Sequence, residues 1–441
     1  MQSVMNSVDS TLWHLETPTT QQVIATYCPL SKTPNLSKLT QAVHDAVDAI
    51  PRLKERVNNK SIPEWEVDPE FSIENHLQYV VDSSLGNMDD VRIRAEKLYS
   101  EPIDKSHPLW KLVVITNRSP GDSVSPLKEC AACIMLFHHS FADGLGCFSV
   151  FREIAKTKDE RFEKALTKGL KQKKEKNFFK RIIENFLTVR KLVLEFLISP
   201  GKSPLNGINS SERFLETVEL PWEELQAMRR GTSYSVNDLL LGIVSGALRR
   251  YHLAYNAPLN ALRVIMPVSL RRLETAKKLG NQLSATGVTI PLEPENALLR
   301  LSGINRGVRA LKDGGGLAAY SLVGAINRLL PPRLVRVISE AHARRTNLIC
   351  TNMSGPREPE YMADAQVLGH YGMAALMRGH GISVSFVSYC QSLCIGIVGD
   401  KNIVKAPELL PKYFYESFIE LQELLNHGGA DTDFQKRDCL V

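Results

Sequence analysis

The chain has 441 residues, of which 43% are hydrophobic and 23% are charged, and this balance excludes a disordered or fibrous protein. This length is too great for one small core, so we expect two domains. The formal net charge of +6 is mild, and eight cysteines without regular spacing do not form a disulfide framework, so we expect a reducing, cytoplasmic compartment. No apolar run is long enough to cross a bilayer, and the N-terminus does not resemble a signal peptide.

The first part of the chain alternates predicted strands and helices. Residues 23–27 predict a strand, and apolar residues at helical spacing predict a helix over 36–50. Asn35 is the expected N-cap of this helix, and Pro51 follows its end. Such alternation predicts an α/β or α+β sandwich rather than a helical bundle. The other elements predicted in this part are a helix at about 88–99 and a strand at 112–116.

An apolar run of strand length ends at two adjacent histidines, His138 and His139. Asp143 and Gly144 then begin a segment whose apolar residues recur at helical spacing. A strand, a turn and a helix start can hold an imidazole rigidly at the edge of a cleft. Histidine can take a proton from a hydroxyl and return it near neutral pH without a cofactor. The pattern therefore predicts a proton-transfer site, although the histidines could also be satisfied core or surface residues.

A basic amphipathic segment separates the two halves. Lysine and arginine crowd residues 168–181 with Glu175 as the one counter-charge, and apolar residues recur every three to four positions through 178–197. Such a helix can lie in a membrane interface, so we expect 171–198 to attach the protein peripherally to a membrane or lipid droplet. A helix packed between domains has the same pattern. No nucleic-acid-binding motif accompanies the basic run, so no nucleic acid partner is expected.

The second half repeats the strand-and-helix character without a clear sequence repeat. Cys130 and Cys133 have C-x-x-C spacing but no partner pair or histidines at zinc spacing, so we expect no metal site. Residues 314–316 are three glycines outside any phosphate-loop context and predict only a loop. The predicted strands are 218–220, 262–268, 286–292, 348–350 and the alternating 382–398 region, and the predicted helices are 222–228, 236–251, 293–311 and 407–425.

The histidine segment 138–144 resembles the HHxxxDG motif of the CoA-dependent acyltransferases. Other segments, in the expected order, resemble the wax ester synthase/diacylglycerol acyltransferase (WS/DGAT) family. Ile103 and His107 depart from its P-L-D-x-S-x-P-L-W element, and Met353 with Ser354 replaces Val-Pro in its N-V-P-G-P element, which puts substrate preference in doubt more than chemistry. The segments that carry the resemblance are 7–18, 102–110, 235–251, 266–271, 280–282 and 351–356.

This resemblance implies a fold of two chloramphenicol-acetyltransferase-like lobes. Each lobe would have a mixed sheet flanked by helices, with a central tunnel between the lobes that admits acyl-CoA and an acceptor from opposite sides. The corresponding boundaries are 1–165 for the N-terminal lobe with the histidine motif, 166–212 for a basic crossover segment and 213–441 for the C-terminal lobe.

The implied reaction moves a long-chain acyl group from acyl-CoA to a fatty alcohol or diacylglycerol, with no cofactor beyond acyl-CoA as co-substrate. His139 would be the general base, and His138 would shape the turn. The family pattern makes Asp143 a structural residue in an ion pair, with Arg271 as the expected partner. An Asp143 that orients His139 is the alternative. Gly144 would let the acyl chain approach the backbone closely.

Six further residues are expected at the tunnel. Trp110, Asn237 and Asp238 are expected more as structural supports than as reacting groups, and the loop 352–356 is expected to border the tunnel mouth. Two other classes of function stay open. A condensation-type enzyme would take its acyl group from a carrier protein, and a catalytically silent lipid-binding protein would keep only the fold. The six residues are Trp110, Asn237, Asp238, Asn352, Gly355 and Pro356.

Overall fold

The computed structural model describes residues 3–60, 62–119, 128–156, 201, 203–269, 279–313 and 330–427. Predicted features that fall elsewhere, such as the basic segment 171–198 and the glycines at 314–316, lie outside the described residues. In chain order the strands are β1 Ser3–Val4, β2 Val23–Leu30, β3 Glu55–Asn58, β4 Glu64–Val67, β5 Leu77–Val81, β6 Trp110–Thr116, β7 Ala131–His138, β8 Arg213–Pro221, β9 Ala261–Ser269, β10 Leu283–Pro291, β11 Leu348–Ser354, β12 Tyr361–Met362, β13 Ala365–Gln366, β14 Tyr371–Met373, β15 Ile382–Tyr389 and β16 Ser392–Asp400.

The helices form where the sequence supplies caps and apolar spacing. Asn35 caps its helix through a hydrogen bond from the Lys38 amide to its Oδ1 (3.0 Å), and Ser235 with Asp238 forms a capping box. In chain order the helices are α1 Ser7–Leu15, α2 Leu36–Ala49, α3 Met88–Ser100, α4 Gly144–Ala155, α5 Trp222–Arg229, α6 Val236–Ala254, α7 Ala297–Asp313, α8 Pro332–Ala343 and α9 Leu410–His427.

The N-terminal sheet has five strands in the order β14-β2-β7-β6-β5. Only β5 and β6 run parallel, and the other neighbours are antiparallel, so the sheet is mixed. All eight residues of β7 are buried, as expected for a central strand covered on both faces. Because the strand is buried along its whole length, the backbone at its last residue, His138, is held in place.

The C-terminal sheet has six strands in the order β10-β9-β11-β15-β16-β8. The strands β9, β11 and β15 are parallel, and the outer pairs are antiparallel. Its core includes buried apolar residues of α6, α7 and α9. The molecule therefore contains two mixed sheets, each with its own hydrophobic core.

One strand crosses between these halves. β14 comes late in the chain, yet Tyr371 pairs with Tyr27 and Met373 with Ala25 at the edge of the N-terminal sheet. Met362 and Val367 in the preceding segment belong to the N-terminal core as well. The expected boundaries at 165/166 and 212/213 did not anticipate this exchange, because nothing local in so short a strand indicates its partner.

The structure corrects several element predictions. The helix predicted from residue 293 begins at Ala297, because Asn296 Oδ1 accepts from the amides of Leu298 and Leu299 and so caps the helix there. The strand prediction for 382–398 is confirmed, and the region is a hairpin with Cys390 at φ +51° between β15 and β16. The sequence did not predict the short strands β1, β3, β4, β5, β12, β13 and β14 or the helices α1 and α8.

Candidate active site

His138 is the last residue of β7, and its ring is locked on both sides. The Ser140 amide donates to Nδ1 at 3.1 Å, and because an amide N–H can only donate, Nδ1 must be an acceptor. The proton of the neutral ring is therefore on Nε2, which donates to the Glu16 carboxylate. Burial lowers the pKa of His138, against the opposite effect of Glu16. This residue is thus a neutral support of the turn.

Glu16 connects this support to the surface of the N-terminal half. Lys105 Nζ lies 2.9 Å from Glu16 Oε2 and 4.3 Å from the centroid of the Trp13 ring. Burial acts to raise the pKa of Glu16, but the hydrogen bonds from His138 and Lys105 lower it below its ordinary value. Glu16 is therefore an ionised acceptor that holds the His138 ring in place.

His139 differs from its neighbour in having a ring without strong polar partners. The side chain is partly buried, and Nδ1 is buried without a hydrogen bond of ordinary geometry to any described residue. Burial lowers the pKa of His139, although its own carbonyl, the Asp143 carboxylate and the Ala142 carbonyl act in the opposite direction. The imidazole is consequently neutral at physiological pH, which is the form required of a general base.

Asp143 ends the turn and starts helix α4. Its Oδ1 accepts from the Gly146 amide at 2.9 Å, which is N-capping geometry. Its Oδ2 accepts from the Gln282 amide at 3.1 Å. The expected partner Arg271 lies outside the described residues, so the ion pair stays a prediction.

Gly144 is covered by a side chain from the other sheet. A Cβ at this position would stand 2.8 Å from Met353 Sδ, and Met353 packs with Phe148 and Val387 in a small apolar cluster apart from the two cores. Met353, at a position where this chain departs from the family pattern, therefore fills the space beside Gly144.

The loop before β10 joins the turn that follows β7 to the C-terminal half. Gly280 forms a parallel β-bridge with Ala142, and Asn281 Nδ2 donates to the His139 carbonyl oxygen at 2.5 Å. The His139 amide in turn donates to the Gln22 carbonyl at 2.6 Å. The general-base candidate thus stands where the two halves of the molecule meet.

The six residues expected at the tunnel lie in different parts of the structure. Trp110 is fully buried in the N-terminal core, where Nε1 donates to the Leu53 carbonyl at 2.9 Å and the ring stacks on His76. Asp238 is also buried and caps α6. These two side chains are structural supports and do not line an open surface.

The other four lie around the end of β11. Asn352 Nδ2 donates to Asn237 Oδ1 at 2.7 Å, and both side chains are exposed. The Gly355 amide donates to the Ser388 carbonyl at 2.9 Å, and the Pro356 carbonyl accepts from the Cys390 amide at 2.8 Å. The structure therefore links Asn237 to Asn352 directly, whereas Gly355 and Pro356 bind the end of β15.

Sequence reasoning gave no role to Asp9, Glu16 or Asn281. All three stand in segments that carry the family resemblance, yet none has a local pattern that points to His139. Among the described residues, no group of histidine, cysteine or carboxylate side chains has the arrangement of a metal site. Within the same residues, no helix combines the length and apolar character needed to cross a bilayer.

Two family models match the chain. Residues 5–181 match the wax ester synthase/diacylglycerol acyltransferase catalytic domain, and residues 279–422 match the WS/DGAT C-terminal domain. A putative diacylglycerol O-acyltransferase of Mycobacterium tuberculosis is 24% identical over 380 residues, which cover 78% of this chain and 79% of that protein.

Solved structures share the fold. The wax ester synthase/diacylglycerol acyltransferase of Marinobacter aquaeolei VT8 superposes with a TM-score of 0.67 at 16% identity, covering 96% of this chain and all of that one. The first condensation domain of the calcium-dependent antibiotic synthetase gives a TM-score of 0.63 at 12% identity, with 96% of both chains covered. The predicted two-lobe fold with mixed sheets is confirmed.

Proposed function

Since the chain belongs to the wax ester synthase/diacylglycerol acyltransferase family and is an acyltransferase, we propose that it moves a long-chain acyl group from acyl-CoA to a hydroxyl of a fatty alcohol or diacylglycerol, with His139 as general base. The product is a wax ester or a triacylglycerol. The observation that carries this proposal is a neutral, weakly partnered imidazole held by backbone contacts at the junction of the two halves.

The reaction needs one residue to move one proton twice. His139 accepts the proton of the acceptor hydroxyl as the oxygen attacks the thioester carbonyl. The tetrahedral intermediate then expels the thiolate as the C–S bond breaks, and the His139 imidazolium protonates the sulfur to give free CoA. The charges balance without a metal, a redox partner or a covalent acyl-enzyme, and holding both substrates against one imidazole supplies rate through proximity.

Two features around His139 suit this cycle. Burial favours the neutral ring before the reaction, and the nearby Asp143 carboxylate favours the cation that forms during it. His138 is committed to Ser140 and Glu16, so it is not available as the base. The adjacent histidines therefore have separate roles, one in the fold of the turn and one in proton transfer.

The proposal is tested with purified protein, palmitoyl-CoA and a panel of alcohols, diacylglycerols and amines, with free thiol as the readout. We expect hydroxyl acceptors to release CoA and His139→Ala to lower kcat by about 10²–10⁴-fold. His44→Ala, which changes an exposed histidine of α2, is the control. Undiminished turnover by His139→Ala rules out the assigned base.

The same assay separates the other classes of function. Transfer only from an acylated carrier protein would identify a condensation-type enzyme, and absence of thiol release with every acceptor would identify a lipid-binding protein.

We also propose that the basic amphipathic segment 171–198 holds the protein on a membrane or lipid droplet surface, where both lipid substrates reside. Its support is the sequence pattern of lysines followed by an apolar face. A variant lacking residues 171–198 should lose sedimentation with anionic liposomes. Unchanged sedimentation would contradict the attachment while leaving the acyl transfer in place.

A further inference from the structure

Asn281 uses both hydrogens of its side-chain amide on two parts of the N-terminal half. Nδ2 donates to Asp9 Oδ1 at 2.8 Å and to the His139 carbonyl oxygen at 2.5 Å. The Asn281 backbone amide also donates to Asp9 Oδ1, at 2.8 Å. Because both side-chain partners are acceptors, the orientation of the amide is fixed by its contacts. The residue is 4% exposed, so water does not compete for these bonds.

Asp9 is the anchor for this amide. Its side chain is 1% exposed, and within the described part of the chain its hydrogen bonds go to Asn281 and to Asn6, whose Nδ2 donates to Oδ2 at 2.6 Å. Asn6 is itself held as the N-cap of α1, where Oδ1 accepts from the amides of Val8 and Asp9. The carboxylate is therefore immobilised from both of its oxygens.

At Gly280 the backbone of the loop before β10 packs closely against Asn6 and Asp9. This residue has φ +100°, and a Cβ would stand 3.1 Å from Asp9 Oδ2 and 3.3 Å from Asn6 Nδ2. Only glycine takes this conformation and this proximity without strain. The loop that carries Asn281 is thus seated directly on Asp9.

The buried carboxyl is costly to the fold. Burial raises the pKa of Asp9 to about 7, with the Asn281 hydrogen bonds and Arg52 acting to lower it and Asp143 acting to raise it. A carboxyl taken out of water destabilises a protein unless its contacts compensate. The principal contact of Asp9 is Asn281, and the other hydrogen of the Asn281 side-chain amide is donated to the His139 carbonyl oxygen.

Resting on the proposed role of His139 as general base, we propose that Asn281, anchored by Asp9, is a positioning residue that holds the His139 carbonyl and so orients the imidazole for proton transfer. Two contacts then hold the two peptide groups that flank the His139 Cα, one on each side. The His139 amide is held by Gln22, and its carbonyl is held by Asn281.

The test compares Asn281→Ala with Asn209→Ala. Asn209 is a matched control because it is 7% exposed and its Nδ2 donates to the carbonyl of another histidine, His380, at 2.9 Å, away from the catalytic turn. Both variants lose one buried amide, so both lose stability. Only Asn281→Ala should lower kcat, by about 10- to 100-fold as expected for a misplaced catalytic group, with the KM for palmitoyl-CoA changed less than threefold.

A double-mutant cycle tests the anchor. If Asp9 acts through Asn281, then Asp9→Ala lowers kcat, and the Asp9→Ala/Asn281→Ala double variant falls no further than Asn281→Ala alone. Independent, multiplicative losses of kcat would overturn the anchoring. Rates are normalised to the folded fraction measured by circular dichroism, and Asn281→Ser replaces the alanine variant if that one does not fold.

The outcomes separate this inference from the proposed function. If His139→Ala abolishes transfer while Asn281→Ala keeps the kcat of the Asn209→Ala control, the positioning role is wrong and the base stands. If His139→Ala transfers normally, His139 is not the base, and the positioning role loses its premise. In the His139→Ala background, the Asn281 substitution should have no further effect on residual kcat, and a further tenfold loss would overturn the positioning role.

Discussion

His139 and His370 are both enclosed by protein, yet their surroundings push their proton affinities in opposite directions. Among the described residues, His139 Nδ1 has no hydrogen-bond partner, and burial lowers the pKa of His139. His370 is fully buried, with Nε2 at 2.8 Å from Glu360 Oε2 and Nδ1 at 3.3 Å from Cys28 Sγ. Burial alone would lower the pKa of His370 too, but these two neighbours raise it well above its ordinary value.

The difference in pKa between the two histidines comes from the charged partner of His370, Glu360. Burial raises the pKa of Cys28 and keeps it a neutral thiol, so the Glu360 carboxylate is the group that stabilises the cation, with Arg152 Nε at 3.8 Å from its other oxygen. His370 precedes β14, the strand that crosses to the N-terminal sheet. The surroundings of His139 therefore favour the neutral form that the proposed base requires, whereas those of His370 favour the cation, which pairs with Glu360.

The largest expected effects belong to these two histidines and fall on different measurements. His139→Ala should lower kcat by about 10²–10⁴-fold with little change in the free energy of unfolding. His370→Leu should lower the free energy of unfolding by up to about 3–5 kcal/mol, because the buried Glu360 keeps only the longer contact with Arg152, while kcat per folded molecule falls less than tenfold. Thiol release measures kcat, and denaturant titration measures the free energy of unfolding.

A second change checks the cause of the instability. Adding Glu360→Gln to His370→Leu removes the charge of the buried carboxyl group and should restore part of the lost stability. Equal stability of His370→Leu and the wild-type protein would remove the distinction between the two histidines.

Substitution of Asp143 should lower both kcat and stability, because its carboxylate caps α4 and also accepts from the Gln282 amide. Asp143→Ala removes the N-cap of α4, at about 1 kcal/mol, and costs about 3–5 kcal/mol in total if Arg271 is left as an unpaired buried charge. We expect lower soluble yield together with lower activity. Asp143→Asn keeps a capping oxygen and is the control. A folded but inactive Asp143→Ala would instead favour an orienting role toward His139.

The two histidines also predict opposite pH limits. A base must be neutral, and the lowered pKa of His139 places the acid limb of kcat below pH 6.5, the ordinary histidine value. The stabilisation by His370 is complete below pH 6.5 and is lost as the pH rises through its raised pKa. Activity should thus be lost at acid pH, and the stabilisation contributed by His370 should be lost at alkaline pH. Rate profiles and thermal melts across pH measure both limits.

His370→Leu is the control for the alkaline limit, because it should flatten the loss of stability between neutral and alkaline pH while leaving the acid limb of kcat in place. An acid limb of kcat above pH 6.5 would contradict the environment described for His139.

The smallest effect concerns the apolar cover of the catalytic turn. Gly144→Ala places a methyl group against Met353 Sδ, and because methionine is flexible the loss of kcat/KM should be about tenfold or less. Adding Met353→Ala should recover most of it and change the preference for acyl chain length. Measurements with acyl-CoA of several lengths check this. A loss in Gly144→Ala that persists in the double variant would point to backbone strain instead of the contact.

Local patterns were sufficient for much of the fold. The spacing of apolar residues, with Asn35 at one end and Pro51 at the other, predicted α2, and the run that ends at His138 predicted β7 and the turn after it. These features depend on period and capping, which neighbouring residues determine. The order of short motifs likewise predicted the family and its two-lobe architecture.

The tertiary structure alone decided which histidine is favoured in the neutral form and which in the charged form, and which residues hold the proposed base. Asp9 and Asn281 are 272 positions apart, and Glu360 and Cys28 reach His370 from different elements. Proton affinity and orientation depend on burial and on partners in space, whereas the sequence encodes directly only what lies within a few residues along the chain.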